Sequence, residues 1–246
     1  MKAMVLAAGL GTRLRPLTDD RPKALVEIGG RTLLEITLRR LHSFGVTEAI
    51  VNTHHFAQMV ADFLRAHDFG MRIEISHEET LLDTGGGLKQ AAWFFLEGDA
   101  QEPFLLHNVD VLSAIDLEAM VEFHRERGAL ATLAVQERAT SRPLLFNERG
   151  ELCGRKVGDA NPEIVKAAEE MQALAFSGIH VLSPEIFEKL TEESAFSIIP
   201  AYLRMAGDGE KIVAFRADRW RWRDLGRPAD VTAADKELRS KAYPND

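Results

Sequence analysis

The chain has 246 residues, of which 46% are apolar and 28% charged, and its net charge is −8. This suits one large soluble α/β domain that buries a core without disulfide or metal staples, and the acidic balance argues against a general nucleic-acid binder, which carries a basic face. A single cysteine, Cys153, excludes an internal disulfide, residues 2–8 are too short for a signal peptide, and no apolar run is long enough to cross a bilayer, so the expected setting is the cytoplasm without a membrane partner.

The first half alternates strand and helix patterns. "KAMVLAA" is a near-continuous apolar run, as in a strand covered on both faces, and it leads into a glycine turn at Gly9 and Gly11. "TLLEITLRRLHSFG" follows with helical spacing and Gly45 as its stop. Strands are expected in "EAIVNT", "MRIEIS", "PFLLHNV" and "ALATLAV", and helices in "AQMVADFLRAH", "GLKQAAWFFLE" and "DLEAMVEFHRERG". The last of these has Asp116 as N-cap and Gly128 as stop. Its glutamates Glu118, Glu122 and Glu126 read as a solvated face.

The second half is less regular. "RPLLFNERGELCGRKV" reads as two short strands around the turn "NERG", and "MQALAFSGIHVLS" as a longer strand. "PEIFEKL" and "SIIPAYLRMAG" are short helices, "KIVAFRADRWRWRDLG" two short strands, and "PADVTAADKELRSK" a closing helix with Pro228 in its first turn. Such alternation implies a Rossmann-like, three-layer α/β/α sandwich around a mainly parallel mixed sheet, with ligands beyond the carboxyl ends of the strands. No linker or repeat divides residues 1–246, so one domain is expected, with a first half of about 1–135 and a second half of about 136–246 that caps the sheet edge.

Three phosphate motifs compete for the glycine turn. A P-loop fails, because Gly9 and Gly11 are two apart and no Lys-Ser or Lys-Thr follows. A dinucleotide fingerprint is weak, because Leu14 occupies the third glycine position and Pro16 and Pro22 interrupt a crossover helix. "LAAGLGTRLRPLTDDRPKAL", from Leu6 to Leu25, resembles the signature of the sugar-1-phosphate nucleotidyltransferases at Leu6, Ala7, Ala8, Gly9, Gly11, Thr12, Arg13, Pro16, Thr18, Pro22 and Lys23. The small residues let backbone N–H groups approach a nucleotide. Arg13 offers a planar fork to triphosphate oxygens, and Lys23 a compact charge at the α-phosphate.

The resemblance extends to two aspartates. Asp110 in "FLLHNVDVLS" follows a buried strand, with Val109 where the family has glycine, and Asp224 in "WRWRDLGRPADV" matches a later family element. The family implies that these two share Mg²⁺, which favours one or two carboxylates completed by phosphate and water. "SHEETLLDTGGGLK" resembles the base-receiving segment, with Glu78, Thr84 and Gly85 as expected contacts together with Asn108. A carboxylate at Glu78 only accepts hydrogen bonds, which suits uracil N3–H or guanine N1–H and leaves UTP and GTP both open. "DTGGG" and "AFSGIHVL" resemble the N-acetylmuramate-1-phosphate uridylyltransferase branch.

The implied sugar contacts are Asn108, Ser177 and Gly178, with Arg155 or Lys156 as substitutes for an absent Glu-Lys-Pro element. The expected partners are therefore an NTP and a sugar 1-phosphate. Alternatives are a guanylyltransferase for mannose or heptose 1-phosphate, a non-catalytic nucleotide sensor, and an NAD-dependent oxidoreductase, which Leu14 disfavours.

Overall fold

The computed structural model describes residues 1–98 and 101–239. In chain order, the first half forms β1 (Lys2–Leu6), a small hairpin of β2 (Glu27–Ile28) and β3 (Arg31–Thr32), α1 (Leu33–Ser43), β4 (Glu48–Thr53), α2 (Ala57–Ala66) and β5 (Arg72–His77). Next come α3 (Asp83–Gln90), α4 (Ala92–Leu96), β6 (Phe104–Asn108), β7 (Val111–Ser113), α5 (Leu117–Arg127) and β8 (Ala131–Gln136). The second half forms β9 (Leu144–Phe146), β10 (Leu152–Arg155), β11 (Glu163–Ile164), β12 (Gln172–Leu182), α6 (Ile186–Lys189), α7 (Ile198–Gly207), β13 (Ile212–Arg216), β14 (Trp222–Asp224) and α8 (Pro228–Arg239).

One sheet runs through both halves. β5, β4, β1 and β6 are mutually parallel. β12 joins β6 antiparallel, β8 joins β12 antiparallel, and β13 follows β8 parallel. The amino end of β12 also carries the antiparallel strands β9, β10 and β11. The sheet is thus mainly parallel and mixed, with helices on both faces. β1 displays this directly: Ala3 and Val5 face the core under α1, α2, α5 and α8, and Met4 and Leu6 face the core under α3, α4, α6 and α7. That two-sided burial is why the strand reads as a continuous apolar run.

Local signals explain most boundaries. The Asp116 side chain accepts from the Ala119 N–H at 3.0 Å, and Gly128 ends α5 at φ 52°. Thr32 caps α1 in the same way, accepting from the Glu35 N–H at 3.1 Å. The helix expected over "GLKQAAWFFLE" instead begins at Asp83, takes in the three glycines, and breaks at Ala91. Close packing against distant parts of the chain holds those glycines helical, which periodicity does not carry. The pairs β2–β3 and β7–β14 are too short to show a period. The last two residues of the predicted closing helix, Ser240 and Lys241, lie outside the described residues.

Candidate active site

The carboxyl ends of three parallel strands meet at the site, with Leu6 opposite Asn52 on one side and Asn108 on the other. The glycine turn leaves β1 there. Its first two N–H groups are not free for a ligand: Ala7 and Ala8 donate to Asn52 Oδ1 at 2.6 and 3.3 Å. Asn52 is oriented in turn by Glu78, whose Oε1 accepts from Asn52 Nδ2 at 2.7 Å. Glu78 Oε2 accepts from the Leu82 N–H at 2.9 Å, and the residue is 0% exposed.

This corrects one expectation: Ala7 and Ala8 turn their N–H groups inward to Asn52, and of the two only Ala8 lines the cleft behind the turn. Glu78 stands in the wall of that cleft, where each of its oxygens already accepts one N–H, and it fixes the turn by way of Asn52. The Asn52–Glu78 pair leaves no local signal in the sequence, because Asn52 is on β4 and Glu78 lies just past the end of β5.

Beyond the turn, Gly11 has φ 64°, and a Cβ there would lie 3.0 Å from Thr18 Cγ2 and 3.3 Å from Lys23 Cβ. Glycine therefore lets the loop fold back so that Lys23 reaches the strand ends. Lys23 Nζ lies 2.9 Å from Asp110 Oδ2. Asp110 is buried, which pushes its carboxyl up, but the charge and hydrogen bond of Lys23, with Arg13 beyond, hold it below the usual range. Gly11 and Thr12 line neither cavity of the site; Leu6, Ala8 and Gly9 line the cleft behind the turn.

Asp224 is brought to Asp110 by the β7–β14 ladder, in which Asp224 pairs with Val111, and by the Leu225 N–H, which donates to the Asp110 carbonyl at 2.8 Å. Burial against the cleft wall and the nearby Asp110 charge raise the Asp224 carboxyl above its ordinary range. At Gly226 a Cβ would sit 2.8 Å from Asp224 Oδ1 and 3.1 Å from Arg13 Nη2, so the glycine of "DLG" makes room for Arg13 beside Asp224. Two carboxylates that repel each other, next to space lined by cations, form an oxygen donor set that fits Mg²⁺. Among the described residues no cluster of three or more His, Cys, Asp or Glu is present, and a hard ion that completes its shell with phosphate and water needs none.

Two cavities meet at Asn108 and Asp110. The smaller, about 190 Å³, contains Gly9, Lys23, Glu78, Asp83 and Thr84 in its walls. Gly85, expected with them, is not among them. Its N–H donates to the Phe196 carbonyl at 2.9 Å, and a Cβ there would fall 2.2 Å from the Phe196 ring. Gly85 and Gly86 therefore serve packing against the segment before α7, and Gly87 packs against Glu78 and Asn52. Thr84 both lines the cleft and accepts from the Ile198 N–H at 3.0 Å.

The larger cavity, about 380 Å³, lies on the other side of Asp110. Its back wall is a bulge in β12: Phe176 opposes Val135 but His180 opposes Leu133, and Gly178 in between has φ 74°. A Cβ on Gly178 would lie 2.9 Å from Asn108 Nδ2, so Gly178 lines the cavity and lets β12 approach Asn108. Ser177 does not line it. Its side chain is buried and its carbonyl accepts from Trp222 Nε1 at 2.7 Å, which corrects its expected contact with the sugar. Arg138, absent from the expected set, donates to the Phe176 carbonyl at 2.7 Å and lies 3.8 Å over the Trp222 ring. Cys153 is buried, its thiol pushed up chiefly by loss of water, as befits a packing residue.

Among the described residues no helix is long and apolar enough to cross a membrane. The nucleotidyl transferase family pattern matches residues 2–146. The N-acetylmuramate alpha-1-phosphate uridylyltransferase of Caulobacter vibrioides is 37% identical, over 96% of this chain and 96% of its own. The mannose-1-phosphate guanylyltransferase catalytic subunit beta of Dictyostelium discoideum is 26% identical over 94% of this chain, which spans 62% of that relative's length. The solved structure of HddC from Yersinia pseudotuberculosis, complexed with GMP-PN, superposes with a TM-score of 0.78 at 22% identity, over 96% of this chain and 99% of that one, and so shares the fold. Its signature, its sheet and its relatives together make this chain a member of the nucleotidyl transferase family, a sugar-1-phosphate nucleotidyltransferase.

Proposed function

We propose that the protein joins UTP and N-acetylmuramate 1-phosphate, or a closely related hexose 1-phosphate, to give the UDP-sugar and pyrophosphate, with Mg²⁺ as cofactor. The observation that carries this is the pair of cavities meeting at Asn108 and Asp110, one behind the glycine turn and one behind β12. Residues of about 1–135 supply the nucleotide side and those of about 136–246 most of the sugar side, within one catalytic domain. The relative named for N-acetylmuramate alpha-1-phosphate, matched over nearly all of both chains, supports the pairing.

The attacking sugar phosphate is already ionised at neutral pH, so no general base is required. Its oxygen attacks the α-phosphorus in line, and pyrophosphate leaves. Catalysis then consists of positioning and charge neutralisation. Lys23, at the floor of the turn, faces the α-phosphate. Arg13 neutralises the leaving pyrophosphate from the Gly226 side. Asp110 and Asp224 would hold Mg²⁺, which supplies positive charge between the two substrates. A cytoplasmic setting, where NTPs are supplied, suits this reaction.

A guanylyltransferase acting on mannose or heptose 1-phosphate is the second reading. It is supported by the mannose-1-phosphate relative and by Glu78, whose occupied carboxylate distinguishes neither base. A matrix of NTPs against sugar 1-phosphates, read by pyrophosphate release, tests both. UTP with N-acetylmuramate 1-phosphate is expected to give the highest kcat/KM. GTP with mannose or heptose 1-phosphate in first place would install the second reading, and no pyrophosphate from any pair would leave a non-catalytic nucleotide sensor.

A further inference from the structure

The larger cavity holds more positive charge than a 1-phosphate requires. Five cations, Arg13, Arg138, Arg142, Arg155 and Lys156, line it against Asp110 and Asp224, in a chain whose net charge is −8. Three of the five are accounted for. Arg13 stands beside Asp224 at the phosphate end. Arg138 is held by the Phe176 carbonyl and the Trp222 ring. Arg155 Nε is paired with Glu163 at 2.7 Å. Among the described residues, the side chains of Arg142 and Lys156 have neither an acidic nor a hydrogen-bonding partner.

These two belong together and lie away from the phosphate end. Arg142 enters β9 and Lys156 leaves β10, and the Lys156 N–H donates to the Pro143 carbonyl at 3.0 Å, so both stand at the open end of one hairpin. The hairpin meets β12 where Leu144 pairs with Leu174. Gly178, packed on Asn108, comes four residues later, at most about 13 Å along the strand. The hairpin therefore stands towards the end of the cavity away from Asn108 and Asp110. Two unpaired cations lining one cavity gain from an anion placed within reach of both.

We propose that Arg142 and Lys156 form a subsite for a second anionic group on the sugar, distal to its 1-phosphate. Arg142 contributes a planar fork and Lys156 a point charge. A carboxylate on a ring substituent and a second phosphate both supply the required chemistry. The inference rests on the larger cavity being the sugar site.

The test compares kcat/KM for N-acetylmuramate 1-phosphate with N-acetylglucosamine 1-phosphate, the same ring without the acid, and for glucose 1,6-bisphosphate with glucose 1-phosphate. The anionic sugar is expected to lead its neutral partner at least about tenfold in one of the pairs, and which pair responds identifies carboxylate or phosphate. R142Q and K156Q should each cut that ratio about tenfold to a hundredfold, the range for loss of one charge-assisted hydrogen bond, and R142K should restore much of it. A ratio near one in the unaltered enzyme, or one that both substitutions leave intact, overturns the subsite while the transferase reading stands. Absence of pyrophosphate with every sugar overturns that reading, and the subsite with it.

Discussion

The two cavities that share Asp110 are built by different means. The cleft proposed for the nucleotide is centred on one contiguous feature, the glycine turn off β1, with Ala8 and Gly9 in its wall and a buried Asn52–Glu78 pair that locks the turn from below. The sugar cavity is made of side chains from several separate segments, among them Arg142, Lys156 and Trp222. A triphosphate is the same in every NTP, so one contiguous loop can hold it. Sugars differ at the ring periphery, and distinguishing them takes side chains from several elements. The first construction leaves a compact motif in the sequence, and the second leaves scattered residues.

The largest expected effect falls where the two sides meet. Asp110 comes from the nucleotide half and Asp224 from the cap, and Asp110→Asn and Asp224→Asn should each cut pyrophosphate release at least about a hundredfold, with circular dichroism unchanged. A loss below tenfold for Asp224→Asn alone would mean that the cap contributes no metal ligand and that the two sides are less equal than their geometry.

A smaller effect separates the sides. Asn52→Ala leaves the Ala7 N–H and Glu78 Oε1 buried without partners, which costs about 1–3 kcal/mol of stability. It should raise KM for the NTP about tenfold while KM for the sugar 1-phosphate stays within about twofold. A parallel rise in both constants would show that the pair supports the whole site and not the nucleotide turn alone.

An effect on stability alone, with none expected on the chemistry, is shared by both halves. Burial lowers the imidazoles of His107 on β6 and His180 on β12 to about 3, and that of His124 on α5 to about 4. Each folded value lies below the ordinary one, so the folded state binds fewer protons than the unfolded. The stability these groups contribute is complete above pH of about 6.5 and declines as pH falls towards 4, by up to about 1.4 kcal/mol per pH unit for each histidine. The unfolding midpoint in denaturant should therefore drop between pH 7 and 5 in a single transition. A flat midpoint would remove the burial argument, and two transitions would show that the halves unfold separately.

Sequence alone determined the alternating strands and helices, the caps at Asp116 and Gly128, and the glycine turn with Arg13, Lys23, Asp110 and Asp224, because each of these depends on neighbours in the chain or on a contiguous signature. Tertiary structure decided what Glu78, Ser177 and Gly85 do. All three lie in motifs that resemble ligand contacts, yet Glu78 is taken by Asn52 and Leu82, the Ser177 carbonyl by Trp222, and Gly85 by Phe196. It also brought Arg142 and Lys156 to one cavity wall with Trp222 and Asp224. Those partners are distant in the chain, and a buried polar group takes whatever partner the fold brings within reach. No spacing within a motif reveals whether that partner is a ligand or another part of the protein.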